Sequence, residues 1–253
     1  MTTKNPFANY YAGLSGIVLP IPKYKFPPEF ENSSRLTYYG SHFNSIEINR
    51  SFYGLPNSKT VSKWTAQVPD NFTFTFKVWK QITHAKDLQF EEQDVKQFMD
   101  AIATVGSKKG CLLVQFPASA KIQCMPGLER LLASIQFSNP DNAWKVAIEF
   151  RDRTWYCDEM FDLIQTHEAT VVRHDKSRAS TPHISYDSDT VYLRFHGPEG
   201  DYRGSYTDEF LQEYSTYIIE WLSSGKFVFV YFNNTMGQAF DNLTTLNRYV
   251  YRR

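Results

Sequence analysis

The run Lys145-Val146-Ala147-Ile148-Glu149-Phe150-Arg151 opens as a strand that is apolar on both faces and closes in charge. A strand of that composition needs cover on both sides, which points to a parallel sheet with helices laid over its faces. The charges then sit where the sheet stops and water or a ligand begins. The same pattern recurs along the chain.

Strands are expected at Tyr10-Leu14, Ser45-Asn49, Phe72-Val78, Cys111-Phe116, Trp144-Phe150, Ala169-Asp175, Val191-Gly197 and Phe227-Asn234. Helical periods fall between them: about Glu31 to Ser41, Asn57 or Ser58 to Gln67, within Asp87 to Gly106, Gly127 to Gln136, across Met160, Phe161 and Ile164, across Phe210 to Trp221, and Ala239 to Val250. Residues 176 to 189 show no helical period, so the helix after the sixth strand is expected to be missing. Alternating strand and helix implies parallel strands joined by right-handed crossovers. Eight such units in 253 residues predict one (β/α)8 TIM-like barrel, an α/β fold of a single domain over residues 1–253.

Charge and composition narrow the function classes. Lys plus Arg and Asp plus Glu number 27 each, for a formal net charge of zero, which argues against a nucleic-acid binder. Cys111, Cys124 and Cys157 have no CxxC or zinc-like spacing and suggest free thiols. No apolar stretch follows Lys4, and no window approaches the roughly 18 apolar residues of a membrane span. A cytoplasmic protein without membrane contact is the expectation; its oligomeric state is open.

In a parallel barrel every strand delivers its C-terminal end to one rim, where active sites form. Those ends carry Glu47 and Asn49, Lys77, Gln115, Glu149 and Arg151, His174 and Asp175, Arg194 and His196, and Asn233 with Asn234. Residues two apart share a strand face, so Glu47 with Asn49, Glu149 with Arg151, and Arg194 with His196 are expected to point together at the axis. With neighbouring strands about 4.8 Å apart, Lys77 can pair with Glu47, and Asp175 can reach Arg151 or Arg194.

Two interpretations of this rim compete. In one, Glu47, Lys77, Glu149 and His196 do acid–base chemistry on a small polar or anionic substrate, while Asn49, Tyr53, His84, Gln115, Arg151, Asp175, Arg194 and Asn233 bind it. In the other, the carboxylates and cations are buried ion pairs that only close the barrel top. Among the histidines, His84 lies in a loop that can reach over the rim, His174 can be outward and packed, and His42, His167 and His183 are background. Phe52, Tyr53, Trp79, Trp155 and Tyr206 fall just past strand ends, suited to ring stacking or to packing loop bases. Glu47, Glu149, Asp175 and His196 include metal-ligand types, but no HxH or HExxH spacing appears, and no metal or cofactor is expected. A metal-dependent phosphodiesterase or nucleic-acid end-processing protein and a non-catalytic ligand-binding module are the alternatives to an enzyme whose class stays open.

Gly13-Leu14-Ser15-Gly16, His42 to Asn49 with Ser51-Phe52-Tyr53, Phe76-Lys77 with Ile82-Thr83-His84, Leu113 to Pro117, Ile148 to Arg151 with Trp155, Tyr192 to Gly197, and Tyr231 to Asn234 with Gly237 and Ala239 follow a recognisable order. In these segments the sequence resembles the domain-of-unknown-function 72 family, the YecE-like proteins. The resemblance spans almost the whole chain and implies a TIM-like barrel, and little about activity. It also implies an Asp at the end of strand six, matched by Asp175. Asp152 departs from the family, which usually has a His after the Arg, and Phe116 replaces a usual Leu.

Overall fold

The computed structural model describes residues 6–176, 179–182 and 187–252. The N-terminal residues 1–5 and His183 lie outside the described residues. Eight parallel strands form one sheet in the order β1-β8-β7-β6-β5-β4-β3-β2. The strands are β1 Tyr10–Leu14, β2 Ser45–Ile48, β3 Thr73–Lys77, β4 Lys109–Gln115, β5 Lys145–Glu149, β6 Thr170–His174, β7 Thr190–Phe195 and β8 Phe227–Phe232. The helices that cross between them are α1 Arg35–Gly40, α2 Arg50–Tyr53, α3 Ser58–Thr65, α4 Lys80–Thr83, α5 Glu92–Ala103, α6 Met125–Phe137, α7 Asp158–Thr166, α8 Asp208–Ser223 and α9 Ala239–Tyr251.

The first expected helix is shorter than its pattern, because a 3-10 turn at Pro28–Phe30 precedes it and Ser34 caps it, accepting from Thr37 N. The one-turn helices α2 and α4 follow β2 and β3 directly and were not legible as helices. Each is too short to show a period. Between β6 and β7 no helix occurs among the described residues, as expected from the missing period.

The sheet closes at the β1–β2 seam by side chains. Asn44 spans it, its Oδ1 accepting from Ala12 N at 2.9 Å and its Nδ2 donating to Tyr10 O at 2.7 Å. Tyr39 OH continues the bridge, accepting from Leu14 N at 2.7 Å and donating to Ser45 O at 2.8 Å. Gly13 permits this approach, since a Cβ there would stand 2.1 Å from Ser45 O. These bonds satisfy backbone groups that a ladder would otherwise pair.

Strand parity divides the core. Outward side chains such as Ile46, Phe74, Val114 and Ile148 pack under the helices. Inward ones, Cys111, Leu113, Ala147, Val172, Tyr192, Phe229 and Tyr231, fill the barrel interior. Tyr231 OH lies 2.6 Å from Ser45 Oγ and 2.7 Å from Thr75 Oγ1, so the interior is pinned by hydrogen bonds as well as packed. That packed plug forms the floor of the C-terminal mouth. No helix among the described residues is long and apolar enough to cross a membrane.

Candidate functional site

Above the plug, a buried cluster of Arg, His and Glu side chains occupies the C-terminal barrel face. Arg194, only 2 % exposed, stands at its centre. Its Nε lies 3.0 Å from Glu47 Oε2, its NH2 2.8 Å from Glu47 Oε1, and its NH1 3.1 Å from Glu149 Oε2. Arg151 pairs with the other oxygen of Glu149. Glu47 also accepts from Ser15 Oγ at 2.7 Å and from Tyr192 OH at 2.6 Å. Tyr192 precedes Arg194 by two positions and shares its face, so parity already carried this signal.

Both carboxylates are held ionised. Burial opposes ionisation of Glu47, but the Arg194 charge and the hydrogen bonds from Arg194, Tyr192 and Ser15 outweigh it and keep its pKa below the usual value. Burial likewise opposes ionisation of Glu149, and the guanidinium groups of Arg194 and Arg151 hold it well below the carboxylate range. Arg194 gains in return: the two carboxylates override its burial and raise its pKa.

His196 is fixed in one tautomer. Arg194 NH1 at 3.0 Å and Arg151 NH2 at 3.2 Å can only donate, so Nε2 accepts. The proton therefore sits on Nδ1, facing Asp175 Oδ1 at 3.3 Å. Burial lowers the His196 pKa to about 4 against the pull of Asp175, so the ring is neutral at pH 7. Asp175 also accepts from His196 N at 2.7 Å and from Tyr206 OH. The expected contact of Asp175 with Arg151 or Arg194 is not formed. His174 takes the inward position, so Asp175 turns away from the axis and meets His196 at the edge of the cluster. His174 itself is buried and not outward, with Nε2 donating to Phe150 O at 3.1 Å.

Lys77 stands apart. Its Nζ donates to Gln115 Oε1 at 2.8 Å and lies 3.9 Å from the centre of the Phe52 ring. The expected pair with Glu47 does not form, because Arg194 occupies that carboxylate, and among the described residues no carboxylate lies within 4.0 Å of the ammonium. Burial, then the charge of Arg194, pushes its pKa down to about 8. Glu47 and Glu149 are thus taken up by Arg194 and Arg151, and Lys77 is left without a direct carboxylate partner among the described residues.

Other candidates scatter around this cluster. Asn49 loses the parity expected with Glu47, because β2 ends at Ile48 and Asn49 already has helical backbone (φ −80°, ψ −19°) at the start of α2. Its Oδ1 is buried with no partner among the described residues. Gln115 Nε2 donates to Phe116 O at 2.6 Å, and Asn233 is buried at the end of β8. His84 is exposed beside Phe52, its ring 4.8 Å away; burial of part of its ring, then Lys77 and Lys80, lowers its pKa to about 4. Tyr53 is 71 % exposed. Trp155 is a core residue, stacked on Phe150 with Nε1 donating to Ala120 O at 2.8 Å. Asp152 caps the turn after β5, accepting from Thr154 N at 3.0 Å. Tyr206 was legible only as a ring, yet its hydroxyl ties Asp175 to Gly197 N.

Among the described residues no three His, Cys, Asp or Glu side chains converge in a metal-binding group. Glu47 and Glu149 turn their oxygens to guanidinium and hydroxyl donors instead.

Comparison with known proteins matches the sequence, and the fold, to a family. A profile described as "Protein of unknown function DUF72" matches residues 20–253. The UPF0759 protein YunF of Bacillus subtilis (strain 168) is 24 % identical over 248 residues, 86 % of either chain. The UPF0759 protein YecE of Escherichia coli (strain K12) is 28 % identical over 120 residues, 47 % of this chain and 44 % of that one. A crystal structure of a DUF72 family protein from Enterococcus faecalis superposes with a TM-score of 0.78 at 21 % identity, over 95 % of both chains.

Proposed function

Since the chain belongs to the DUF72 family and has a parallel barrel with a charged C-terminal mouth, we propose that it is an enzyme acting there on a small polar substrate with an anionic group. One observation carries this reading: the Lys77 ammonium, mostly buried, has a neutral amide and an aromatic face for partners and no carboxylate among the described residues. A buried cation without a counter-charge is costly, and an anionic ligand would supply what is missing. Arg151 would bind alongside it, and Asn49, Gln115 and Asn233 would orient the substrate.

Proton transfer falls to Lys77 and His196. With a pKa of about 8, Lys77 is protonated at pH 7 yet gives up its proton more readily than an ordinary lysine, so the ammonium that holds the anion can also serve as a general acid. His196 is neutral and oriented by Asp175. Glu47 and Glu149, held ionised, serve the chemistry by fixing Arg194 and by the field they create. A metal-dependent phosphodiesterase gains no support from donors engaged in this way. A ligand-binding module without turnover is the second reading, favoured by the closed Glu47–Arg194–Glu149 lock.

The test is a thermal-shift series with inorganic phosphate, malonate and succinate on the parent, Lys77→Met and Glu149→Gln. The parent should be stabilised by at least one of these anions and Lys77→Met by none. Equal stabilisation of parent and Lys77→Met would overturn the assignment of the anion to this residue. Turnover of a bound substrate that is lost in His196→Gln would separate the enzyme from the binding module.

A further inference from the structure

A cavity of about 420 Å³ lies on the outer side of β6 and β7, lined by Arg173, Thr181, Leu193, Phe195 and the α8 residues Tyr214, Tyr217 and Trp221. It exists because no helix among the described residues covers these strands. The outward side chains Arg173, Leu193 and Phe195 therefore face the aromatic flank of α8 across the cavity. Phe195 packs edge-on against Tyr214 with centroids 5.0 Å apart, and Tyr217 leans on Trp221 at 6.2 Å.

Arg173 is the unusual member. It is half-buried, its guanidinium carbon lies 5.8 Å from the centre of the Trp221 ring, and among the described residues no carboxylate pairs with it. Burial lowers its pKa from the ordinary arginine value, the mark of a cation short of solvation. A planar guanidinium beside aromatic walls matches a ligand that is itself flat and carries a bidentate anion. The volume is that of a small-molecule site. It is too confined for a docked helix, since of the three α8 aromatics only Tyr217 is exposed.

We propose that this cavity is a binding site for a small planar aromatic carboxylate, its carboxylate on Arg173 and its ring against Tyr214, Tyr217 and Trp221. The cavity opens on the outer face of the strands and neither Lys77 nor Arg151 lines it, although His174 and Arg194 of the mouth cluster border it from the strand side. It nevertheless reaches Asp175, the residue that orients His196.

Saturation-transfer NMR on the full chain tests this, with benzoate and indole-3-acetate as probes and benzylamine as the control of opposite charge. Benzoate or indole-3-acetate should bind the parent, and Lys77→Met equally well. Binding should be about tenfold weaker in Arg173→Met, where the charge-assisted contact is gone. Tyr217→Ala, a surface substitution that leaves the strands intact, should also weaken it, and it decides the matter if Arg173→Met does not fold. Absence of aryl-carboxylate binding at millimolar concentration, binding undiminished in the variants, or equal binding of benzylamine would each overturn the proposal. Loss of binding in Lys77→Met alone would place the probe at the mouth and overturn it too.

Discussion

Arg194 grips Glu47 through two nitrogens, Nε 3.0 Å from Oε2 and NH2 2.8 Å from Oε1, inside a barrel where the carboxylate is wholly buried. With Ser15 and Tyr192 also donating to it, Glu47 is a strut. Removing one partner of such a pair leaves an uncompensated buried charge, at a cost of about 3–5 kcal/mol. Glu47→Gln should therefore lower the unfolding free energy in urea by a comparable amount. Combining Glu47→Gln with Arg194→Met should cost less than the sum of the two single changes, because the pair is lost only once. Additive losses would show that the two side chains do not act as a unit.

The β1–β2 seam makes a sharper structural prediction. Gly13→Ala would place a methyl 2.1 Å from Ser45 O, against backbone that cannot yield without breaking the Asn44 and Tyr39 bridges. The expected loss is about 3 kcal/mol, with amides of β1 and β2 showing the largest drop in hydrogen-exchange protection. Gly54→Ala, where a Cβ would meet nothing within 4 Å, is the control and should be near neutral.

The eight strands, and the lack of a helix between β6 and β7 among the described residues, followed from the sequence pattern, because short apolar runs bounded by turns and alternating with helical periods have few other uses. Parity also placed Glu149 with Arg151 and Arg194 with His196, since those pairs sit on or just past straight strands. It failed at Asn49, where β2 ends one residue early, and strand spacing paired Glu47 with Lys77 where Arg194 takes that carboxylate. That choice depends on reach and angle across the barrel, which a linear pattern does not encode. Tyr206 and its bond to Asp175 were invisible as a pair for the same reason: 31 residues and a loop separate them.

Acid should destabilise the fold well before the carboxylates titrate. His196 has a folded pKa of about 4 against 6.5 when unperturbed, so the unfolded chain binds the extra proton between these values. The stability from the neutral buried ring is complete above pH 6.5 and is lost as pH falls towards about 4. The shift corresponds to a loss on the order of 3 kcal/mol at the acid end of this window. His196→Gln should flatten that limb of a stability-against-pH curve measured by urea titration. An unchanged limb would mean that His42, His84 and His174, whose pKa values are also lowered, account for all of it.

Lys77 should behave in the opposite sense, and this separates a functional cation from a structural one. Its pKa of about 8 lies below the unperturbed 10.5, so below pH 8 the folded protein carries a charge that the unfolded chain solvates better. Between about pH 8 and 10.5 the unfolded chain binds the extra proton, and stability rises with pH. Lys77→Met removes the penalty and the side chain's titration together. At pH 7 the variant should be more stable than the parent by about 1–3 kcal/mol, and its curve should lose the rise above pH 8. An ion-pair strut predicts the reverse, a destabilised variant at pH 7. Anion binding in the parent should fade over the same interval, because only the protonated amine attracts the ligand. In Lys77→Arg the charge persists and that loss should move to higher pH, so stability and binding respond to a single proton at one residue.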